Sequence, residues 1–164
     1  MFNKKPSKFL RLLRMALIAT ILIVYGSYAS FFYRFQREAL YPGQQRAIQI
    51  QDPSNYEGLV AARFPTSLGP EAGFAWYLEP PESSHPAPAV IIGHGNGEIA
   101  DDLVDFALPL RAKGYGVLVI GYPGYGYAEG SPTKESILEA AVESYDWLIA
   151  RPEINADQIV VMGL

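Results

Sequence analysis

Two glycine-rich loops contain the residues of this sequence that are best suited to chemistry. The first loop holds His94, Gly95, Asn96 and Gly97 directly after a short apolar run. In acyl transfer a negative oxygen develops on the substrate, and backbone amides that point at it stabilise it without adding a reactive side chain. Glycine allows the backbone bend that this requires. The sequence therefore predicts an oxyanion hole at residues 94–97, with the amide of Asn96 or Gly97 facing the substrate.

The two histidines are expected to play supporting roles. His94 belongs to the first loop, and we expect its ring to brace that loop rather than to act as a catalytic base. His85 lies in a proline-rich stretch, residues 79–88, and we interpret it as a solvated side chain. Neither histidine is therefore a candidate for the base of a catalytic triad.

The second glycine-rich loop, residues 121–130, also follows an apolar run. Ligands of open α/β sheets bind beyond the carboxyl ends of the strands, and both loops are expected at that edge. Tyr122 and Tyr125 of the second loop are candidates for a substrate pocket that takes an acyl or leaving group.

The end of the sequence predicts a third part of the same site. Residues 158–162 have the pattern of a short buried strand, and Gly163 and Leu164 follow it. A strand that ends in Gly-x is the first part of the nucleophile elbow Gly-x-Ser-x-Gly. We therefore expect the nucleophile, the acid and the base to lie beyond Leu164, and the 164 residues alone to be inactive.

Two other interpretations of the first loop depend on neighbouring residues. Residues 95–100 fit the dinucleotide pattern Gly-x-Gly-x-x-Ala, but the acidic residue that should end the next strand is missing. Glu98, Asp102 and Asp105 could share a helix face and bind a cation. A solvated acidic face near a helix N-terminus explains these three residues as well. We expect neither a metal ion nor an organic cofactor.

Hydrophobic patterning predicts the elements that position these loops. An antiparallel hairpin precedes alternating strands and helices, which predicts an α/β fold whose hairpin leads into a parallel sheet with flanking helices. The predicted strands are 57–64, 73–78, 89–92, 117–120 and one beginning at 159, with helices at 99–113 and 134–151.

Local signals add detail to the two predicted helices. Pro109 predicts a kink or two short helices within 99–113, since proline removes a backbone donor. Gly114 suits the end of this helix, and Thr133 suits the N-cap of the next one. The second helix is expected to bury one apolar stripe, which consists of Ile137, Leu138, Ala141, Tyr145 and Leu148.

The N-terminal part of the chain predicts a membrane anchor. Residues 1–14 carry five cations, and residues 15–33 are uncharged. Nineteen residues of helix span ~28 Å, close to the thickness of a bilayer core. The positive-inside rule then places the N-terminus in the cytoplasm and the domain on the periplasmic or extracytoplasmic side. The alternative is a cleaved signal peptide and secretion, because residues 27–29 have a small-x-small pattern.

The remaining chain divides into a polar connecting segment, residues 34–55, and a partial domain, residues 56–164. Residues 15–164 carry a formal net charge of −9, with eight Lys or Arg against all 17 Asp and Glu. Such a chain lacks the basic face that nucleic acid requires, so nucleic acid is excluded as a partner. The absence of cysteine excludes disulfides, thiolate metal sites and a cysteine nucleophile.

The loops and the last strand together resemble the α/β-hydrolase superfamily, in particular Bem46-like hydrolases and serine aminopeptidases. The matching segments are residues 94–98, 121–126 with 129–132, and 160–164, and the resemblance covers roughly residues 55–164. It implies a serine hydrolase that cleaves ester, thioester or amide bonds through an acyl-enzyme, without a cofactor. The expected partners are a small-molecule or acyl substrate and membrane lipid around residues 15–33.

The sequence departs from one common form of the second loop, Asp-Tyr-Arg-Gly-Tyr-Gly-x-Ser. Gly121, Pro123 and Ala128 replace its Asp, Arg and Ser, so a polar role is not expected at these positions. The alternative to a hydrolase is a membrane-tethered binding module or pseudoenzyme without catalysis, and peptidase activity is the alternative among enzymes. The oligomeric state does not follow from the sequence.

Overall fold

The structure is a computed structural model, and it describes residues 7–164. The chain divides into a helical unit that ends at Leu40 and a globular unit, Tyr41–Leu164, and each is described by itself. Part of the predicted basic N-terminus, including Lys4 and Lys5, lies outside the described residues.

The first unit is one helix, α1, Lys8–Leu40, whose 33 residues include none that is buried. The helix is ~50 Å long, and by length and composition it can cross a membrane, as a signal sequence also can. The helix continues to Leu40 and so includes the first seven residues of the predicted connecting segment, residues 34–55. Residues 34–40 are rich in good helix formers, which explains the extension.

The globular unit is built on a mixed sheet of five strands, and this confirms the predicted fold class. The strand order is β1-β2-β4-β3-β5. The pairs β1/β2 and β2/β4 are antiparallel, whereas β3 pairs in parallel with β4 and with β5. The strands are β1 Leu59–Thr66, β2 Gly69–Leu78, β3 Ala87–Gly93, β4 Gly116–Gly121 and β5 Ile154–Gly163.

Strands β2 to β5 are longer than the sequence predicts, because ladder pairing continues past the apolar runs, whereas β1 has the predicted length but lies two residues later. Thr66 pairs with Gly69, so only two residues separate β1 from β2. The predicted burial of the last strand is wrong: Val160 and Val161 of β5 are 55% and 69% exposed. Among the described residues β5 pairs with β3 alone, so it lies at an edge of the sheet.

Two α-helices belong to the globular unit, α2 Val104–Ala112 and α3 Lys134–Ile149. A 3-10 turn, Ala100–Leu103, precedes α2, so the helical segment breaks there and Pro109 lies inside α2. The segment thus forms two short helical pieces, as predicted, but they divide before Val104 and not at Pro109. Gly114 follows α2 with a φ of +93°, which confirms its role at the helix end.

The N-cap predicted for α3 is confirmed, and its predicted buried stripe is only partly correct. Thr133 Oγ1 accepts a hydrogen bond from Ser136 N at 3.0 Å. Leu148 is buried as expected, whereas Leu138 and Tyr145 are 56% and 37% exposed. The fully buried line of α3 consists of Ala140, Ser144 and Leu148, whose small first two members let the helix approach the sheet closely.

The core lies on both faces of the sheet because strand residues alternate between faces. One cluster joins Phe74, Trp76 and Val119 to residues of α2, and the other joins Tyr77 and Ile120 to α3. Every residue of β4 is buried, as the apolar runs predict for a central strand.

One buried carboxylate ties the segment before β1 to the sheet. Asp101 is 7% exposed, and its Oδ2 accepts hydrogen bonds from Gln49 N and Ile50 N at 2.7 and 2.9 Å. Its Oδ1 accepts a hydrogen bond from the indole of Trp76 at 2.6 Å. No local sequence pattern predicts this contact, since its partners lie far apart along the chain.

The variant Asp101→Asn tests this contact. An amide offers one acceptor oxygen where the carboxylate offers two, so buried N–H groups lose partners and the unit loses about 2–3 kcal/mol of unfolding free energy. Urea unfolding followed by tryptophan fluorescence measures the loss, because both tryptophans lie in the globular unit. Asp105→Asn, at an exposed residue of α2, is the matched control. Equal stability of the two variants would contradict the assigned role of Asp101.

Candidate active site

The predicted site segments meet at one edge of the sheet. The first glycine-rich loop follows β3, whose parallel neighbours β4 and β5 lie on opposite sides of it. Such a reversal of strand order opens a crevice at the carboxyl ends of the strands. Leu164 N donates a hydrogen bond to Gly93 O at 3.1 Å, so the end of β5 lies beside the start of the loop.

His94 connects the two glycine-rich loops. Its ring is 3% exposed, and Nε2 accepts a hydrogen bond from Tyr122 N at 3.4 Å. Nδ1 lies 2.9 Å from Gly95 O, which can only accept, so the ring is the neutral tautomer with its proton on Nδ1. Burial lowers the pKa of His94, against the opposing influence of the Gly95 carbonyl, Glu98 and Asp102. With both nitrogens occupied, the imidazole supports the loops.

Two carbonyl groups of the first loop are held by hydrogen bonds. Gly95 O accepts from the His94 ring and from Glu98 N, the latter at 3.0 Å. Asn96 O accepts from Gly43 N at 3.2 Å and from the Tyr125 hydroxyl at 3.3 Å. These peptide bonds are trans, since the cis bond of the described residues is elsewhere.

The orientation of two amides follows from these contacts. In a trans peptide the N–H points opposite to the preceding carbonyl. The amide of Asn96 is therefore directed away from the His94 side of the loop, and that of Gly97 away from Gly43 and Tyr125. An oxyanion hole requires amide donors with fixed directions that converge on one oxygen, and the loop contacts supply the fixed directions.

The four residues predicted for the oxyanion hole thus have different surroundings. The amide of Gly95 donates to Glu98 Oε2 at 2.7 Å, so it is used within the loop. A methyl group at Gly97 would have no neighbour within 4 Å, and this residue lies at the surface. The loop contacts fix the directions of the Asn96 and Gly97 amides, and the role of these amides with an oxyanion stays a prediction.

The two tyrosines predicted for a substrate pocket pack against this loop. Tyr125 is 2% exposed, and its hydroxyl donates to Asn96 Oδ1 at 2.9 Å, so it supports the loop from the buried side. Tyr122 is half-buried, with its ring centroid 4.1 Å from that of His94. Burial raises the pKa of both hydroxyls, so both are neutral donors near neutral pH. Their role in a pocket stays a prediction.

Glycine gives the second loop its path. Gly124, Gly126 and Gly130 have φ values of +81°, +53° and +96°, in the region that residues with a Cβ rarely adopt. The turns at these glycines direct Tyr125 towards the core, where it reaches Asn96.

The acidic residues near the loop act as hydrogen-bond acceptors. Asp102 accepts from Arg46 Nη2 at 2.7 Å and from Ile99 N at 2.9 Å, and Glu98 holds the Gly95 amide. Asp105 is exposed. Among residues 7–164 no group of three His, Cys, Asp or Glu is arranged to hold a metal ion.

The hydrogen bonds and helix positions around the first loop count against the dinucleotide interpretation. The carboxylate of Glu98 accepts the hydrogen bond of the Gly95 amide. A pyrophosphate bound there would instead need positively charged surroundings. The segment continues into the 3-10 turn Ala100–Leu103, so α2 does not start directly at the glycines.

Sequence reasoning missed several residues that support the loop. Glu98 carries a local signal, since a carboxylate three residues after an amide is the spacing of a capping box. No local sequence signal marks Gly43 or Arg46, because they reach the loop only through the tertiary fold.

Comparisons with known proteins find relatives of part of the chain and structures that share its fold. No family model matches the chain. Lysophosphatidylserine lipase ABHD12 of Danio rerio is 32% identical over 76 residues, which cover 46% of this chain and 20% of that protein. The α/β hydrolase domain-containing protein WAV2 of Arabidopsis thaliana is 30% identical over 90 residues, covering 54% of this chain and 29% of that protein. The matches thus span less than a third of the length of these curated relatives.

Solved structures share the fold. An α/β hydrolase of Vibrio vulnificus aligns with a TM-score of 0.57 and 20% identity, covering 79% of this chain and 46% of the other. An esterase of Pyrococcus furiosus aligns with a TM-score of 0.54 and 19% identity, covering 72% and 44%. These likenesses establish the fold of the globular unit.

The buried, neutral state of His94 predicts a pH dependence of stability. Its folded pKa lies below the ordinary value, so the unfolded chain takes up the proton first as the pH falls. The stabilisation is therefore complete above the ordinary pKa of about 6.5 and declines as the pH falls towards the folded value. Wild-type protein should lose more unfolding free energy than His94→Gln between about pH 7.5 and about pH 5.5.

Urea unfolding at the two pH values measures this difference. The matched control is His85→Gln, at the exposed side chain of the other histidine. The same pH dependence in His94→Gln and His85→Gln would count against the assignment.

Proposed function

We infer that this chain, which has the fold of the α/β-hydrolase superfamily, contributes the oxyanion loop of a serine hydrolase. The reaction proposed is hydrolysis of an ester, thioester or amide bond. The observation that carries the proposal is the pair of amides at Asn96 and Gly97, whose directions are fixed by the carbonyl contacts of the loop. The finer likeness to Bem46-like hydrolases and serine aminopeptidases stays a prediction.

The proposed chemistry is acyl transfer through a covalent intermediate. A serine that follows Leu164 would lie beside the loop, because Leu164 N already bonds to Gly93 O. A histidine base would remove its proton, an acidic residue would orient the base, and water would release the acyl group. None of the serines of the chain has glycine two positions before and two after it, so we do not expect the nucleophile among these residues.

The loop would act on the charge that forms during this reaction. The substrate oxygen becomes negative in the tetrahedral intermediate, and each fixed amide donor is worth on the order of 10²–10³ in rate. The neutral His94 ring adds no competing base at this position, because both nitrogens are bonded.

A lipid ester is the substrate class that we propose first. The Danio rerio relative is a lysophosphatidylserine lipase, and α1 has the length and composition of a membrane span. An anchored hydrolase meets its highest substrate concentration in the membrane itself. Peptide substrates are the alternative within the same site, since acyl transfer to water is common to both reactions.

We propose that α1 anchors the protein with its N-terminus in the cytoplasm and its globular unit on the other side. The support is the charge bias around the uncharged run. Secretion after cleavage near residues 27–29 is the alternative.

The proposed chemistry predicts the activity of the chain and of its loop variants. The 164-residue chain should turn over p-nitrophenyl acetate no faster than a boiled control, because it lacks the triad. In a polypeptide that supplies the triad, Gly97→Pro should lower kcat by about 10²–10³ because proline has no amide N–H. Gly97→Ala is the matched control, since it keeps the N–H and its methyl group meets no atom within 4 Å. Turnover by the 164 residues, or equal kcat in both variants, would contradict the proposal.

The second prediction concerns topology. The chain has no cysteine, so single-cysteine variants report one position each. In intact cells a membrane-impermeant maleimide should label Ser83→Cys, whereas Ser7→Cys should react only after lysis. The opposite pattern would reverse the proposed orientation, and loss of the Ser7→Cys segment from the mature protein would indicate cleavage.

A further inference from the structure

We propose that residues 41–50, which we call the strap, position the candidate oxyanion loop. The strap follows α1 in the sequence and belongs to the globular unit. The strap contacts both glycine-rich loops. The consequence for catalysis rests on the proposed function, whereas the positioning itself does not.

Gly43 fixes the peptide between Asn96 and Gly97. Its amide donates to Asn96 O at 3.2 Å, and the Tyr125 hydroxyl approaches the same oxygen at 3.3 Å. The Tyr125 hydroxyl shares its one hydrogen between this oxygen and Asn96 Oδ1, which it approaches at 2.9 Å, so the Gly43 amide is the full donor that holds the peptide plane against rotation. The direction of the Gly97 amide therefore depends on the strap.

Glycine is the residue that fits at position 43. Gly43 is buried, and a Cβ there would lie 2.5 Å from the Tyr125 ring and 2.7 Å from Glu98 O. Neither neighbour is the free end of a flexible side chain, since Tyr125 is itself buried and Glu98 O is backbone. Any side chain at this position must push the strap away from the loop.

Arg46 reaches the peptide on the other side of Gly97. Its Nη1 donates to Gly97 O at 3.4 Å, while its Nη2 pairs with Asp102 Oδ1 at 2.7 Å. The strap also contacts the second loop, where Gln44 Nε2 donates to Gly124 O at 3.4 Å. Both peptides of Gly97 are thus held by the strap, and the second loop is tied to it.

The far end of the strap is fastened independently of the loop. Asp101 accepts hydrogen bonds from the amides of Gln49 and Ile50, and the Tyr127 hydroxyl donates to Ile50 O at 2.8 Å. A segment fixed at this end needs little further ordering to bring Gly43 to the loop.

The loop needs such support because its own residues are permissive. Asn96 and Gly97 are exposed, Asn96 lies between two glycines, and fixing one backbone residue costs roughly 1–2 kcal/mol of conformational entropy. Donors that are already oriented require no reorganisation when charge develops. Gly43 and Arg46 are therefore positioning residues, which act on the reaction through the amides of the loop.

The experiment measures loop order in the 164-residue chain in detergent micelles. Amide ¹⁵N relaxation should give order parameters near about 0.85 for Asn96 and Gly97 in the wild type, and below about 0.6 in Gly43→Ala. The amides of β3 and β4 should keep their wild-type values. The matched control is Gly69→Ala, the same change at a glycine with no atom within 4 Å of the added methyl group.

A second variant removes a strap contact without adding an atom. Arg46→Ala should lower the order parameter of Gly97 while the tryptophan-monitored unfolding of the unit stays cooperative. Lys113→Ala, at another exposed cation, is its control and should change neither. A flexible loop in the wild type, or an ordered loop in both strap variants, would overturn the inference.

The activity experiment on Gly97→Pro is separate from this one. Loosening of the loop in the strap variants supports the positioning role whether or not ester hydrolysis is found. If only the hydrolase proposal fails, the strap still positions the loop, and the ligand of the loop would then be of another kind.

Discussion

The site depends on the hydrogen bonds that hold two carbonyl oxygens, those of Gly95 and Asn96. A peptide unit is planar, so fixing its oxygen also fixes its N–H in the opposite direction. The donors come from four places in the chain: the ring of His94, the amide of Glu98, the hydroxyl of Tyr125 and the amide of Gly43. A glycine-rich segment thereby holds two amides in fixed directions without any reactive side chain of its own.

The acidic residues around the loop also hold its backbone in place, in their case as hydrogen-bond acceptors. Glu98, Asp101 and Asp102 accept hydrogen bonds from backbone amides or from Arg46, and none of them joins a metal-binding group within residues 7–164. A carboxylate accepts several donors at once, which makes it an efficient fastening for segments that lack regular secondary structure. The negative charge of the chain is thus partly structural at this edge of the sheet.

The fold itself could be predicted in outline because its signals are local. The apolar runs of β3 and β4, the N-cap at Thr133 and the glycine after α2 each depend on neighbouring residues, and the structure confirms them. The buried side of α3 was only partly predicted. A helical sequence with several apolar stripes does not specify which stripe meets the sheet, and here the small residues Ala140 and Ser144 do.

Local patterns along the chain were enough to predict the two loops, the glycines that allow their turns and the order of strands and helices. How these parts meet follows from folding: β4 and β5 flank β3, and the strap reaches the loop through Gly43 and Arg46. Turns and caps arise between residues that are close in sequence, whereas the contacts that orient the loop amides join residues that only folding brings together.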